Sequence, residues 1–262
     1  MIFNKKKLLG SVTNDSYYVD VAIVTESIKG RYITSKDIIK YFSNVSKILK
    51  ASTRQRRKVA IKHACMAYHG YGLKPIRRAK IEYIFKKILI PTDKWKSRDY
   101  FTEIEIEEIC RNSGKRTRLI IKALYETALR VSELCSIRKS ECERIGEQYK
   151  ISVICKGGVV GVVYMESSTY CAIDKIYQGE TYLFETSPGR HISRHTISTM
   201  LKRTGEKFGV NLYPHKIRRS FASNMVKKYG IIPVSKYLLH SDPGYTAKNY
   251  INEKEKKITI MR

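Results

Sequence analysis

Apolar positions in the first third of the chain recur at helical spacing. In "TSKDIIKYFSNVSKIL", Ile38, Ile39, Phe42, Val45 and Ile48 fall on one face at intervals of three and four, which predicts a helix. "STRQRRKVAIKHACMAYHGYG" predicts another, opening at a Ser/Thr cap and closing on glycines. Further on the pattern changes. "RTRLIIKALYETAL" is helical, whereas "YKISVICKGGVVGVVYM" reads as two β-branched strands joined at Lys156-Gly157-Gly158. "SRHTISTMLKRTGEKFG", "HKIRRSFASNMVKKYG" and "PVSKYLLH" predict three more helices. The expected class is mainly α with a small antiparallel β-sheet. A boundary is expected in a linker of about 88–101, where Pro91 and a polar, basic run precede a helix capped by Thr102, with Glu103 and Glu105 in its first turn. This predicts a helical domain over 1–90 and an α+β domain over 97–262.

Charge changes this picture from a fold to a partner. The 262 residues carry 51 Lys and Arg against 24 Asp and Glu, a net +27, while 42% hydrophobic residues are enough to fold. Residues 1–95 hold 21 cationic and 6 acidic side chains, so the smaller front part is the denser in charge. Such a surface repels itself unless its partner is anionic, and nucleic acid is the commonest such partner. An acidic membrane surface is the alternative. No apolar run approaches the ~18 residues of a membrane span, and "MIFNKKKLLG" lacks the apolar core of a secretion signal. Cys65, Cys110, Cys135, Cys142, Cys155 and Cys171 form no CxxC pair, which predicts reduced thiols in a cytoplasmic protein, no metal and no cofactor.

Several residues could carry chemistry, and each has a plainer reading. Arg130 lies at a helix junction, where a second helical start is capped by Ser132, and could simply pair with Glu126 or Glu133. His215 and Arg218 share one face near the start of a helix, a place that favours a bound phosphate, or are a capping histidine and a surface arginine. Arg219 reads as a DNA-backbone contact or solvent. Lys156 is a hairpin-tip lysine that neighbouring glycines could let swing into a groove. His191 and His195 have the i, i+4 spacing of a metal pair at one helix start, but no third ligand follows, leaving surface or phosphate contact. Arg54, Arg56, Arg57 and Lys58 form either a solvated helix face or, with Arg194 and Arg219, a set of DNA contacts.

The order of these features is more specific than any one of them. "YETALRVSEL", "SVICKGG", "YPHKIRRSFASNM" and "LLHSDPGYTAKNY" together resemble the tyrosine recombinases, also called the phage integrase family. The resemblance implies an N-terminal helical core-binding domain followed by an α+β catalytic domain. It implies a 3′-phosphotyrosine intermediate with neither ATP nor metal, Arg130 and Arg218 on the scissile phosphate, and His215 assisting proton transfer. Lys156 would protonate the leaving 5′-hydroxyl and His240 would donate to a non-bridging oxygen. Two tyrosines follow His240. Pro243 and Gly244 should break the chain into a turn before Tyr245, and Tyr250, ten residues past His240, matches the family's nucleophile spacing. The implied partner is double-stranded DNA, bound by a homotetramer on paired sites. Ala128, Arg219 and Leu239 depart from residues common in the family; a left-handed backbone at Ala128 would cost on the order of 1 kcal/mol. A type IB topoisomerase and a catalytically silent DNA-binding accessory protein are the competing expectations.

Overall fold

Helices dominate both parts of the chain, with small antiparallel sheets between them. The computed structural model describes residues 1–70, 73–91, 99–155 and 158–238, and the chain divides into units Met1–Lys96 and Ser97–Arg262.

The first unit runs β1 (Ile2–Asn4), α1 (Lys5–Gly10), α2 (Asp15–Glu26), β2 (Tyr32–Thr34), α3 (Ser35–Ser43), α4 (Ala51–Ala67) and α5 (Pro75–Lys86). Its core is built from Phe3, Val21, Ile33, Phe42, Ile61 and Phe85 among others. Each such burial contributes about 1.5–3 kcal/mol. The two-stranded ribbon, with Phe3 opposite Ile33, escapes a periodicity reading because three-residue strands show too little alternation. Two helix bounds also differ from expectation. α3 ends at Ser43, and a 3-10 turn over Val45–Ile48 leaves Ile48 91% exposed rather than on the apolar face. The Phe42 carbonyl released there accepts from Ser46 Oγ at 3.0 Å and from Arg54 Nη2 at 3.1 Å. α4 begins at Ala51 behind Lys50, without a side-chain cap from Ser52 or Thr53.

The second unit starts with α6 (Glu103–Arg111), α7 (Lys115–Thr127) and α8 (Val131–Cys135). α6 is capped as expected: Glu105 N donates to Thr102 Oγ1 at 3.3 Å, and the Glu105 carboxylate accepts from Thr102 N at 2.7 Å. β3 (Cys142–Ile145), β4 (Gln148–Ile154) and β5 (Val160–Glu166) form a meander, so the expected hairpin carries a third strand. That strand turns at Gly146, whose φ of +59° suits glycine. β5 alternates buried and exposed positions, placing Val163 and Met165 against α7 and α9 (Ser167–Tyr177). Next come the ribbon β6 (Glu185–Ser187) and β7 (Arg190–His191), then α10 (Arg194–Lys207), α11 (Pro214–Tyr229) and α12 (Ile231–Tyr237). Among the described residues, no helix is long and apolar enough to cross a membrane.

One carboxylate organises the loop before β6. Glu185 accepts from the backbone N–H groups of Thr181 at 2.9 Å, Tyr182 at 2.8 Å and Gly189 at 2.7 Å. A side chain at Gly179 would collide with the Tyr182 carbonyl and with Glu185, so only glycine fits there. The donated bonds, those of Tyr182 and Gly189 foremost, hold the Glu185 carboxyl below its ordinary value.

Two predictions test these devices. Thr102→Ala removes the cap of α6 and should cost about 1 kcal/mol, read from the midpoint of equilibrium denaturation. For Glu185 the native carboxyl titrates below the unfolded one, so its stabilisation is full above the ordinary glutamate value of 4.5 and is lost as pH falls through the native value. Glu185→Gln should therefore lower the melting temperature at pH 7, and the gap from the unsubstituted chain should close in acid.

Candidate active site

The site is built on the break between α7 and α8. α7 ends at Thr127, and Ala128 takes the left-handed conformation (φ 50°, ψ 24°) that the sequence made conditional. Ala128 is also 1% exposed, packed with Ala222, Val234 and Leu238. Its methyl group thus gains about 0.8 kcal/mol from burial, which offsets much of the backbone strain. The turn delivers Arg130, rather than Ser132, to the N-cap of α8.

Of the two carboxylates that could hold Arg130, the structure selects Glu133. Glu133 Oε1 accepts from Arg130 Nη1 at 2.8 Å and Oε2 accepts from the Arg130 backbone N–H at 2.8 Å. Glu133 is buried, whereas 38% of the Arg130 side chain remains exposed, so the guanidinium is steered without being covered. Glu126 instead accepts from Thr169 Oγ1 at 2.7 Å and from the Glu166 backbone N–H at 3.2 Å, and burial pushes its carboxyl up.

Arg218 projects from the second turn of α11 and is 3% exposed. Its Nη1 donates to the Ala128 carbonyl and its Nη2 to the Leu238 carbonyl at 2.9 Å. One guanidinium therefore joins the α7–α8 break to the residue that follows α12. His215 is exposed on the first turn of α11, one turn before Arg218, as its spacing requires.

The end of β4 comes to the same place. Arg130, Ser132, Glu133, Ser136, Ile154 and Cys155 line a cleft of about 390 Å³. Burial pushes the Cys155 thiol up and Glu133 acts in the same sense, while the Arg130 and Arg218 guanidiniums oppose both. The structure thus brings together Arg130, Arg218 and the last residue before Lys156. Lys156, His240, Tyr245 and Tyr250 lie outside the described residues.

Other candidates are placed differently from their expected roles. Arg219 is 5% exposed rather than solvent-facing, donating to the Tyr213 hydroxyl at 3.0 Å and the Asp99 carbonyl at 3.2 Å. Beside it, Lys216 pairs with Asp99 at 2.6 Å, and that hydrogen bond lowers the Asp99 carboxyl. Both cations fasten the start of the unit onto α11. His191 and His195 do not share a helix turn: His191 ends β7, its Nδ1 2.8 Å from the Ile192 carbonyl, and His195 is on α10. Arg194 is exposed at the first turn of α10.

In the first unit the basic run is engaged internally. Arg56 pairs with buried Asp20 at 2.6 Å, and Arg57 lies 3.6 Å from Asp20 and donates to the Tyr41 hydroxyl at 2.6 Å. Arg54 holds the end of α3, and Lys58 donates to the Ile88 carbonyl at 2.7 Å. Of Arg56 and Arg57, Arg56 keeps the greater exposure, at 61% of its side chain against 13%. Sequence reasoning named Glu126 and Glu133 as possible partners of Arg130 and left the choice between them open. It missed the two carbonyls that hold Arg218, because a backbone acceptor leaves no residue-type signature.

The sequence and this geometry have known counterparts. Residues 99–257 match the model of the phage integrase family. The chain is 27% identical over 220 residues to the tyrosine recombinase XerA of Saccharolobus solfataricus, covering 81% of this chain and 72% of that protein. It is 32% identical over 135 residues to the tyrosine recombinase XerA of Pyrococcus horikoshii, there covering 48% of this chain and 47% of the relative. In fold it is similar to the XerH site-specific recombinase in a pre-cleavage complex bound to its difH substrate. That match has a TM-score of 0.71 at 16% identity and covers 92% of this chain and 76% of that one. A lambda integrase dimer bound to a COC′ core site matches with a TM-score of 0.73 at 15% identity, over 98% of this chain and 77% of that one. The chain belongs to the phage integrase family and is a tyrosine recombinase, an enzyme that breaks and rejoins DNA strands.

Proposed function

We propose that the chain exchanges strands between specific duplex sites through a 3′-phosphotyrosine on Tyr250, acting as a homotetramer on paired sites. The observation that carries this reading is Arg218, a guanidinium held by two carbonyls from separate elements beside the cleft of Arg130. A phosphodiester repels an incoming oxygen nucleophile, so attack needs cations fixed around the non-bridging oxygens before the reaction begins. Guanidiniums suit this role because they stay charged and donate in a rigid fork. In this reading Arg130 and Arg218 receive the scissile phosphate, and Glu133 is a positioning residue for Arg130.

The remaining roles follow the order of the chain. Lys156 comes directly after Cys155, which lines the Arg130 cleft, and serves as the acid for the departing 5′-hydroxyl. His215 assists removal of the tyrosine proton, which leaves with difficulty at neutral pH because the reference pKa of tyrosine is about 10. His240 and Tyr250 follow Leu238, whose carbonyl Arg218 holds. The phosphotyrosine keeps the energy of the broken bond, so a partner strand's 5′-hydroxyl can reseal the backbone without ATP. The net charge of +27 supports duplex DNA as the partner, as do the DNA-bound XerH and lambda integrase structures that share this fold. In the first unit, Arg56 is the member of the basic run best exposed for phosphate contact, and Arg194 is the corresponding candidate in the second.

Incubation with a pool of nicked random-sequence duplexes should trap a covalent protein–DNA adduct, whose sequenced DNA reveals the target. Tyr250→Phe should abolish that adduct and leave DNA affinity intact, while Tyr245→Phe keeps it; an adduct that survives only in Tyr250→Phe reassigns the nucleophile. Arg218→Lys retains the charge but loses the planar fork and its reach, so cleavage should fall by about 100-fold or more with affinity nearly unchanged.

A further inference from the structure

A second cleft adjoins the first. It has a volume of about 580 Å³ and shares Ser136 and Ile154 with the Arg130 cleft, so the two flank the same short ridge. Beyond that ridge its polar lining is mainly Arg138, Ser140, Tyr182 and His191, with one carboxylate, Glu141.

The arrangement of Arg138 is built rather than incidental. Its backbone forms an antiparallel bridge with Tyr182. The neighbouring bonds Lys139 N to Thr181 O at 3.0 Å and Leu183 N to Ile137 O at 3.0 Å pin both strands of this contact. The guanidinium lies over the Tyr182 ring, 5.3 Å from its centroid. Tyr182 in turn packs edge-on against the His191 ring at 5.1 Å. The Tyr182 backbone N–H is held by Glu185, and Gly179 gives that loop its room.

Charge use separates Arg138 from its neighbour in sequence. Lys139 is consumed internally, pairing with Asp174 at 2.7 Å and donating to the Gly179 carbonyl at 2.9 Å. Arg138 is exposed and has no carboxylate within ion-pair distance among the described residues. An exposed guanidinium held over a ring, with Nη2 3.5 Å from the Tyr182 hydroxyl, has already lost some of its rotamer freedom, so a ligand that meets it bears less ordering cost. His191 adds to this. Its Nδ1 lies 2.8 Å from the Ile192 carbonyl, which can only accept, so Nδ1 carries the hydrogen and the ring is fixed in place against Tyr182.

We propose that Arg138, held over the Tyr182 ring with His191 packed against that ring, forms a subsite for a backbone phosphate of the DNA strand flanking the scissile phosphate. The ligand is a phosphodiester group because the available donors are a planar guanidinium and serine hydroxyls, which suit anionic oxygens. Adjacency to the Arg130 cleft makes the two clefts successive stations along one strand. The contact sets register and affinity and takes no part in bond breaking. It rests on the reading of the chain as a DNA-cleaving recombinase.

The test is fluorescence anisotropy of the full chain with a 40-base-pair random-sequence duplex across a salt series. Arg138→Ala should weaken binding by about tenfold and reduce the slope of log affinity against log salt by about one. Arg138→Lys should restore the slope but only part of the affinity, because lysine lacks the planar fork. Arg111→Ala removes the same charge from an exposed position on α6 and should stay within about twofold of the unsubstituted chain. Equal effects of Arg138→Ala and Arg111→Ala would sink the subsite. Loss of binding in Arg138→Ala with no adduct from the unsubstituted chain would uphold the subsite and defeat the recombinase reading. An adduct with unaltered Arg138→Ala binding would do the reverse.

Discussion

A buried guanidinium must be given partners or the fold is penalised by several kcal/mol. Arg218 is such a group, and the partners described for it are carbonyls whose availability depends on other elements. The Ala128 carbonyl is offered because the chain leaves α7 through a left-handed residue. The Leu238 carbonyl is offered because α12 ends there. The same left-handed turn places Arg130 at the start of α8, where Glu133 catches both its backbone and its side chain. Satisfying one buried cation thereby sets the position of a second, which lines the cleft.

The cations of this chain divide by employment. Lys216 and Arg219 are buried and tie Asp99 and Tyr213 to α11, while Phe101 is held by Ser220 and Asn224 of the same helix. In the first unit, Arg54, Arg57 and Lys58 close internal bonds that organise α3, α4 and the residues after α5. Net charge alone cannot separate these from the cations left for a partner, since a structural lysine and a DNA-facing lysine count equally. Exposure separates them. By that measure Arg56, Arg138 and Arg194 present themselves differently from Arg219.

Much of the architecture was legible in the order of residues. The helices α6, α7, α10 and α11, the β4–β5 hairpin and the Thr102 cap all follow from local patterns that short-range bonds enforce. The misses occurred where a distant segment outweighed the local signal. α3 stops short where the Phe42 carbonyl is taken by Ser46 and, from α4, by Arg54. β1 pairs with β2 across about thirty residues, a match invisible in three-residue strands. His191 leaves its expected helix because the pairing of β6 with β7 claims it first.

The sequence by itself determined which residue types could do the chemistry and in what order they appear, because those depend on composition and spacing. It placed His215 and Arg218 on one helical face, since a 3.6-residue turn allows no other outcome. Tertiary structure decided which of those groups meet. It chose Glu133 over Glu126 for Arg130, turned Arg219 inward, and brought the end of β4 beside two arginines drawn from distant parts of the chain. Those choices rest on backbone carbonyls, burial and the cost of an unpaired charge, which become definite only when distant segments pack together.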